Sequence, residues 1–438
     1  MKIAGIELPK WAPYAAIAGV VVLILAICTA TGGFSGKQEQ KTAAGRTPFN
    51  EALTNEMSEV QGLERFDRDM ANFMSYWHLR GVELAVMRHD SLLYVRGYGY
   101  ADSLALEPME PRHILRLASV SKLVTAIGVM KLREEGRLKL SDKVFDPETG
   151  ILGKASYCGK IRDKRYYDIT VEHLLRHEGG FSQRLGDPMF TTLQLMKRNG
   201  LTEAPDPATL METQMENRLR YEPGTTKDYS NFGYFVLSLV IEEASGQSYE
   251  DYMQEHVLHP AGCWGFRIAE NTLENRQRNE VRYYATDKDT LYYEYSGSGR
   301  KVERCYSNDV KGLMGAGAWV ASAAELARLV ASVDGDPRVP DILSRESVRE
   351  MTRSYEHRYS LGWNETDPRI GWVRTGTLSG TNALIKYFPD GECWILLTNT
   401  ATWKGPGFSK KTSAKFSEWR QRYSAKLPKQ DLFEITLN

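Results

Sequence analysis

Ser119-Val-Ser-Lys122 places a hydroxyl and an amine three residues apart, so on one helical turn the two side chains face the same way. A neutral Lys122 there can take the Ser119 proton, and a Ser at the front of a helix has unpaired backbone N–H groups beside it for a developing anion. A helix cap followed by a solvated Lys would give the same pattern. Two later stretches add to it. Tyr229-Ser-Asn231 follows the turn-rich Pro223-Gly-Thr-Thr-Lys-Asp228 and brings a phenol and an amide to a loop just before a helix. Tyr229 becomes a proton acceptor where nearby cations lower its pKa, and Asn231 can anchor a substrate amide while holding the Lys. Arg374-Thr375-Gly376 precedes the C-terminal hairpin, where a strand edge with Gly lets a substrate backbone approach closely.

These residues need elements to hold them. Leu63, Phe66, Met70, Phe73, Met74 and Trp77 recur at helical spacing and stop near Gly81, which predicts a helix with one buried face. Runs 82–87 and 92–98 read as a hairpin across His89-Asp90-Ser91. Helical spacing covers 119–135 and stops at Gly136, and further helices are expected over 169–176, 235–244 and 323–333. Runs 383–388 and 393–398, joined by Pro389-Asp-Gly391, form the clearest hairpin, and an amphipathic stretch follows over 413–427. Strands at both ends and helices between them predict one sheet closed by the two ends of the chain, with a helical subdomain inserted.

Composition narrows the function classes. The 438 residues carry 56 Lys+Arg against 56 Asp+Glu with no long basic run, so nothing marks a nucleic-acid binder. Cys28, Cys158, Cys263, Cys305 and Cys393 show no CxxC, which argues against a zinc site and leaves room for one disulfide among the last four. His173 and His177 have metal-ligand spacing, but no Glu follows His173, and neither a metal nor a cofactor is expected. Tyr283-Tyr284 and Tyr292-Tyr-Glu-Tyr295 would wall the site or decorate a loop, the wall being favoured.

The ordered triple of Ser-x-x-Lys, Tyr-x-Asn and a basic residue before Thr-Gly resembles the serine beta-lactamase and penicillin-binding-protein superfamily, in its class C, D-aminopeptidase and esterase-like branch. The likeness runs from about Val82 to Asn399 and includes Leu115-Arg-Leu-Ala-Ser-Val-Ser-Lys122, residues 169–177 followed by Gly179-Gly180, Tyr229-Ser-Asn-Phe-Gly-Tyr234, Gly315-Ala-Gly-Ala-Trp319, Tyr359-Ser-Leu-Gly-Trp363 and Pro389-Asp-Gly391. What the resemblance implies is an α+β fold, an antiparallel sheet flanked by helices plus a helical lobe. It implies Ser119 as the acylated nucleophile, Lys122 as proton acceptor, Tyr229 as proton shuttle and Asn231 as a substrate-side anchor. Arg374, Thr375, Gly376 and Thr377 would face the substrate, with the backbone N–H groups of Ser119 and Thr377 as oxyanion hole. The family usually has Lys or His where Arg374 stands. Arg cannot pass a proton, so its fork is expected to clamp a substrate carboxylate, or else to face a neighbouring acidic side chain and shape the cleft.

The uncharged stretch 11–36 is long enough to span a bilayer, so 1–34 is expected to anchor the chain to the bacterial cell membrane, with a cleaved signal peptide and secretion as the competing reading. Residues 35–56 read as a polar linker, 57–428 as the hydrolase domain and 429–438 as a tail. The expectation is an exported, membrane-tethered serine hydrolase acting on a small-molecule or peptide amide or ester: cell-wall or D-amino acid peptides, esters or beta-lactams. The alternative is a non-catalytic binding or sensor protein on the same scaffold.

Overall fold

Two hairpins, one from each end of the chain, meet edge to edge. The computed structural model describes residues 47–181, 186–286, 290–402 and 407–435, together with a short antiparallel pairing of Lys2–Ile3 with Ile6–Glu7. The strands are β1 (Gly81–Arg88), β2 (Ser91–Asp102), β3 (Glu107–Pro108), β4 (Glu365–Asp367), β5 (Gly371–Leu378), β6 (Thr381–Tyr387) and β7 (Glu392–Thr398). They form a seven-stranded sheet in the order β4-β5-β6-β7-β1-β2-β3. Neighbours are antiparallel throughout, and β7 pairs with β1 from Glu392 opposite Arg88 to Thr398 opposite Val82. Both predicted hairpins are present. The first turns on His89 (φ 46°) and Asp90 (φ 58°), whose positive φ values match the twist of the strands. The second turns through Gly391 at φ 81°, where the Phe388 carbonyl accepts from the Gly391 N–H at 3.0 Å.

Period-two alternation assigns the side chains to two faces. Val82, Leu84 and Val86 of β1, with Trp394 and Leu396 of β7, join one buried cluster beneath helices α1 (Glu64–Trp77) and α5 (Gly407–Tyr423). Ala85, Met87, Ile395 and Leu397 point the other way, into the larger cluster under α2 (Ser121–Glu134), α3 (Asn231–Ser245) and α4 (Ala323–Ala331). The fold is the expected α+β arrangement of an antiparallel sheet with helices. Helix α3 starts one turn before the expected 235, because Ser230 caps it by accepting from the Gly233 N–H at 3.0 Å.

The expected ends of the domain move outward. Leu53 and Leu432 are buried, and Asn55 donates to the Met109 carbonyl at 2.8 Å, so 47–56 and the start of the expected tail pack on the body. Lone leucines in polar stretches gave no periodicity to read. The 1–34 segment lies outside the described residues apart from the short pairing, and among the described residues no helix is long and apolar enough to cross a membrane. Cys158, Cys263, Cys305 and Cys393 are buried free thiols.

Candidate active site

Ser119 sits in a tight 3-10 turn, Ala118–Val120, that feeds directly into α2. Ala118 holds a left-handed φ of 49°, a conformation that costs a non-glycine residue roughly 1–3 kcal/mol and that fixes the direction in which Ser119 leaves the backbone. One helical turn on, the Lys122 ammonium is fully buried and donates to Ser119 Oγ at 3.3 Å, Asn231 Oδ1 at 2.7 Å and the Ala316 carbonyl at 2.5 Å. The Tyr229 hydroxyl donates to Ser119 Oγ at 2.8 Å, and Lys122 Nζ lies 5.0 Å from the centre of its ring. Asn231, the first residue of α3, passes its amide N–H to Asp187 Oδ2 at 2.6 Å. Ser121, the other serine of the motif, is buried and accepts from the Trp319 N–H at 3.1 Å, so it does not compete for the site.

Strand β5 closes the site. A Cβ at Gly376 would lie 2.3 Å from the Leu117 carbonyl oxygen and 2.9 Å from the Ser119 nitrogen, so only glycine lets the strand run this close to Ser119. Thr375 donates through its N–H to Asn364 Oδ1 at 2.7 Å, and Thr377 is exposed, with its hydroxyl on Asn382 Oδ1 at 3.2 Å. Arg374 is placed differently from both expectations. Its guanidinium is buried and donates to the Ser119 carbonyl, through Nε at 2.8 Å and also through Nη2, rather than presenting its fork to a ligand or meeting an acidic side chain. The reason lies in the register: Arg374 stands opposite Ile385 on the inward face of the sheet, where the carbonyl of the 3-10 turn is the strong acceptor it meets.

Charge here is arranged around the hydroxyl. Burial lowers the Lys122 pKa, Tyr229 opposes that, and the Arg374 cation adds to the lowering, so the amine lies below its ordinary value. Burial alone would push Tyr229 up, but the Lys122 and Arg374 cations, with its hydrogen bonds to Lys122 and Ser119, overcome it and bring the phenol down to about 8. His177 stacks on the Tyr229 ring with centroids 4.4 Å apart, and its Nδ1 accepts from the Ser230 N–H at 3.1 Å. Burial, then Lys122 and Arg374, hold this imidazole well below its usual pKa, so it is neutral at pH 7.

The sequence motifs brought Ser119, Lys122, Tyr229, Asn231 and the 374–377 strand together as expected, but His177 and Asp187 were not read as members. His177 was noticed only for its spacing from His173. That spacing is spent on local structure, since His173 Nδ1 accepts from the Thr170 N–H at 3.3 Å. Asp187 carries no local signal at all. The tyrosine stretch divides: Tyr283 is buried, accepting from the Arg116 N–H and donating to Glu280, while Tyr293 is exposed.

An antiparallel sheet whose edge meets a Ser-x-x-Lys turn and a Tyr-x-Asn loop defines the serine beta-lactamase and penicillin-binding-protein class of folds. The sequence model of the Beta-lactamase family matches residues 66–415, and the chain belongs to that family. It is 26% identical over 316 residues to penicillin-binding protein 4* of Bacillus subtilis (strain 168), an alignment covering 70% of this chain and 65% of that relative's own length. In three dimensions it resembles the D-amino acid amidase of Ochrobactrum anthropi SV3 complexed with L-phenylalanine amide, at 17% identity and TM-score 0.62, covering 86% of this chain and 99% of the other. It also resembles the D-alanine carboxypeptidase AmpC of Burkholderia cenocepacia, at 18% identity and TM-score 0.59, covering 80% and 95%.

Proposed function

We propose that the protein is a serine hydrolase that forms an acyl-enzyme on Ser119 with amide or ester substrates. The observation that carries this reading is the shared hydroxyl: Ser119 Oγ lies 2.8 Å from the Tyr229 oxygen and 3.3 Å from Lys122 Nζ, with the phenol drawn down to about 8. When Tyr229 is ionised, its contact reverses and the Ser119 hydroxyl donates to the phenolate. Ser119 Oγ then bonds to the substrate carbonyl carbon as its proton passes to Tyr229, with Lys122 holding the charge in place. The carbonyl oxygen becomes an oxyanion, held by the N–H groups of Ser119 and Thr377. The C–N or C–O bond breaks as Tyr229 returns the proton to the leaving group. Water gives a proton to the same phenolate as it bonds to the ester carbonyl carbon; the bond from that carbon to Oγ then breaks, the acid leaves, and Tyr229 returns the proton to Ser119. Asn231 anchors the substrate, the edge of Thr375-Gly376-Thr377 aligns it, and Arg374 acts beneath them as a fixed cation.

The names of the structural neighbours support amides of amino acids and peptides as substrates. The uncharged run 11–36 supports an exported, membrane-tethered enzyme. One experiment addresses both points. Bacteria expressing the full chain are fractionated and labelled with a fluorophosphonate probe, and intact-protein mass spectrometry with peptide mapping locates the adduct. We expect the label on Ser119 in the membrane fraction and none in Ser119→Ala. Labelling that survives the substitution overturns the nucleophile. A label confined to the soluble fraction overturns the tether alone, and absence of any label favours a non-catalytic binding protein.

A further inference from the structure

The chain comes onto its folded body at Thr47, beside a cleft of about 290 Å³ outside the candidate active site. Thr47 and Pro48 help to wall it, together with Arg112, Arg267 and Arg278, and Glu51 is the one acidic residue lining it. Among the described residues no carboxylate pairs with any of these three cations, and Arg267 donates through Nη1 to the carbonyls of Trp264 and Phe266, at 2.7 and 2.6 Å. Asn50 lines the cleft as well; it is 2% exposed, and among the described residues its Oδ1 has no hydrogen-bond donor. The acids nearby are satisfied. Residues 277–279 also wall a neighbouring cleft of about 450 Å³, in which Asp102 accepts from the Leu104 N–H at 2.9 Å, Glu107 meets His113 at 3.0 Å, Glu274 meets Arg300 at 2.8 Å and Glu280 accepts from the Tyr283 hydroxyl at 2.9 Å. The uncompensated charge around the first cleft is therefore positive.

The turn that joins β2 to β3 adds an apolar element. Its flanks, Asp102 and Glu107, line the second cleft, and between them Leu104 and Leu106 stand 69% and 71% exposed. Guanidinium groups without an acidic partner fit the oxygens of a phosphodiester, Asn50 Oδ1 can accept from a headgroup hydroxyl, and exposed leucines close by suit the boundary between headgroups and acyl chains. A free phosphate would leave the leucines unused. Residues 37–46 link the uncharged run 11–36 to Thr47, and so short a stretch spans at most about 40 Å, so a chain anchored by that run keeps the cleft within reach of the lipid surface. We propose that this face docks on the membrane, with the phosphate of an anionic phospholipid held by Arg112, Arg267 and Arg278. The proposal rests on the membrane tether of the proposed function and is independent of its acyl-transfer chemistry.

The test assembles the full chain into lipid nanodiscs of phosphatidylcholine, alone or mixed with phosphatidylglycerol, and follows amide hydrogen exchange by mass spectrometry. With phosphatidylglycerol present, exchange over 47–56, 103–106 and 276–280 should slow by roughly fivefold or more, and high salt should reverse the effect. Equal exchange in the two discs overturns the proposal. The double substitution Arg112→Gln/Arg278→Gln should remove the slowing while the rate of Ser119 labelling by the fluorophosphonate stays unchanged. Should the double variant fail to fold, Arg278→Gln alone, at an exposed position, should still weaken the slowing, and full retention there overturns the proposal. Lys197→Gln/Arg198→Gln, at exposed positions on another helix, should leave it intact; an equal loss would assign the effect to general surface charge and overturn the cleft. The same slowing produced by glycerol phosphate in phosphatidylcholine discs would mean a free phosphate ligand and overturn the lipid. If the chain does not enter the discs, it is the tether that has failed. Sedimentation of the full chain with vesicles then decides the docking: binding roughly tenfold stronger to phosphatidylglycerol-containing vesicles than to phosphatidylcholine supports it, and equal binding overturns it.

Discussion

The two faces of the sheet are packed differently. Beneath α1 and α5, Phe66 meets Trp419 edge-on at 5.3 Å and Trp394 at 6.0 Å, and Phe73, Trp77, Phe408, Phe416 and Tyr423 complete an aromatic layer. On the other face, the same strands bury charge: Glu83 of β1 accepts from the Ala323 N–H at 3.0 Å at the start of α4, and Arg374 of β5 holds the Ser119 carbonyl. Burial pushes the Glu83 carboxyl well above its usual pKa. The aromatic face also buries two charged side chains, Glu392, which accepts from Trp394 Nε1 at 2.7 Å, and Lys386, which donates to Ser413 and Ser417 of α5, but its bulk is packed rings. The other face carries desolvation costs that direct hydrogen bonds offset, and this is where the candidate chemistry lies. Stability and reactivity are thus separated by a single sheet thickness.

The largest test of that separation is at Tyr229 and Lys122. Tyr229→Phe and Lys122→Ala should each lower kcat for ester hydrolysis by about 10²–10⁴-fold, with the double substitution far from additive and the melting temperature of Tyr229→Phe close to wild type. Near wild-type turnover in either variant would remove the proton-transfer role. Next comes Trp419→Ala, which should cost about 3–5 kcal/mol in urea unfolding while leaving the rate of Ser119 labelling of the folded protein unchanged. A comparable loss of labelling rate would show that the two faces are not independent.

The smallest effect belongs to Arg374→Gln. Hydrolysis should rise with pH as the phenol ionises near 8, because the ionised form is the proton acceptor. Removing the Arg374 cation takes away one of the charges that lowers this pKa, so the rising limb should move to higher pH. Well below the limb, the rate falls roughly tenfold for each pH unit of displacement. A profile that stays in place while the maximal rate drops would assign Arg374 to holding the turn rather than to tuning Tyr229.

Much of this was legible in the chain, and the illegible part has a physical cause. Motifs that must be local announced themselves: Ser119 and Lys122 share a turn, Tyr229 and Asn231 flank a helix cap, and Pro389-Asp-Gly391 makes a hairpin. The two-sided role of the central strands was hidden, since β6 and β7 are buried along their whole length and show no polar alternation to mark a face. The direction of Arg374 was also hidden, because it depends on a carbonyl 255 residues away. Asp187 and His177 reach the site through loops and stacking that no spacing rule encodes.

The pairing of β7 with β1 has a consequence in time. Arg88 and Glu392 lie 304 residues apart and close an ion pair at 2.8 Å across that junction. During synthesis at about 5–20 residues per second, the amino-terminal hairpin is therefore held with an open edge for on the order of tens of seconds before its partner strand exists. Until then β5 has no sheet to join, Ser119 lacks both Gly376 and Arg374, and the nascent chain carries a nucleophile motif without a reactive centre. The candidate site is complete only once β5 to β7 exist, and until then the chain carries an unpaired strand edge.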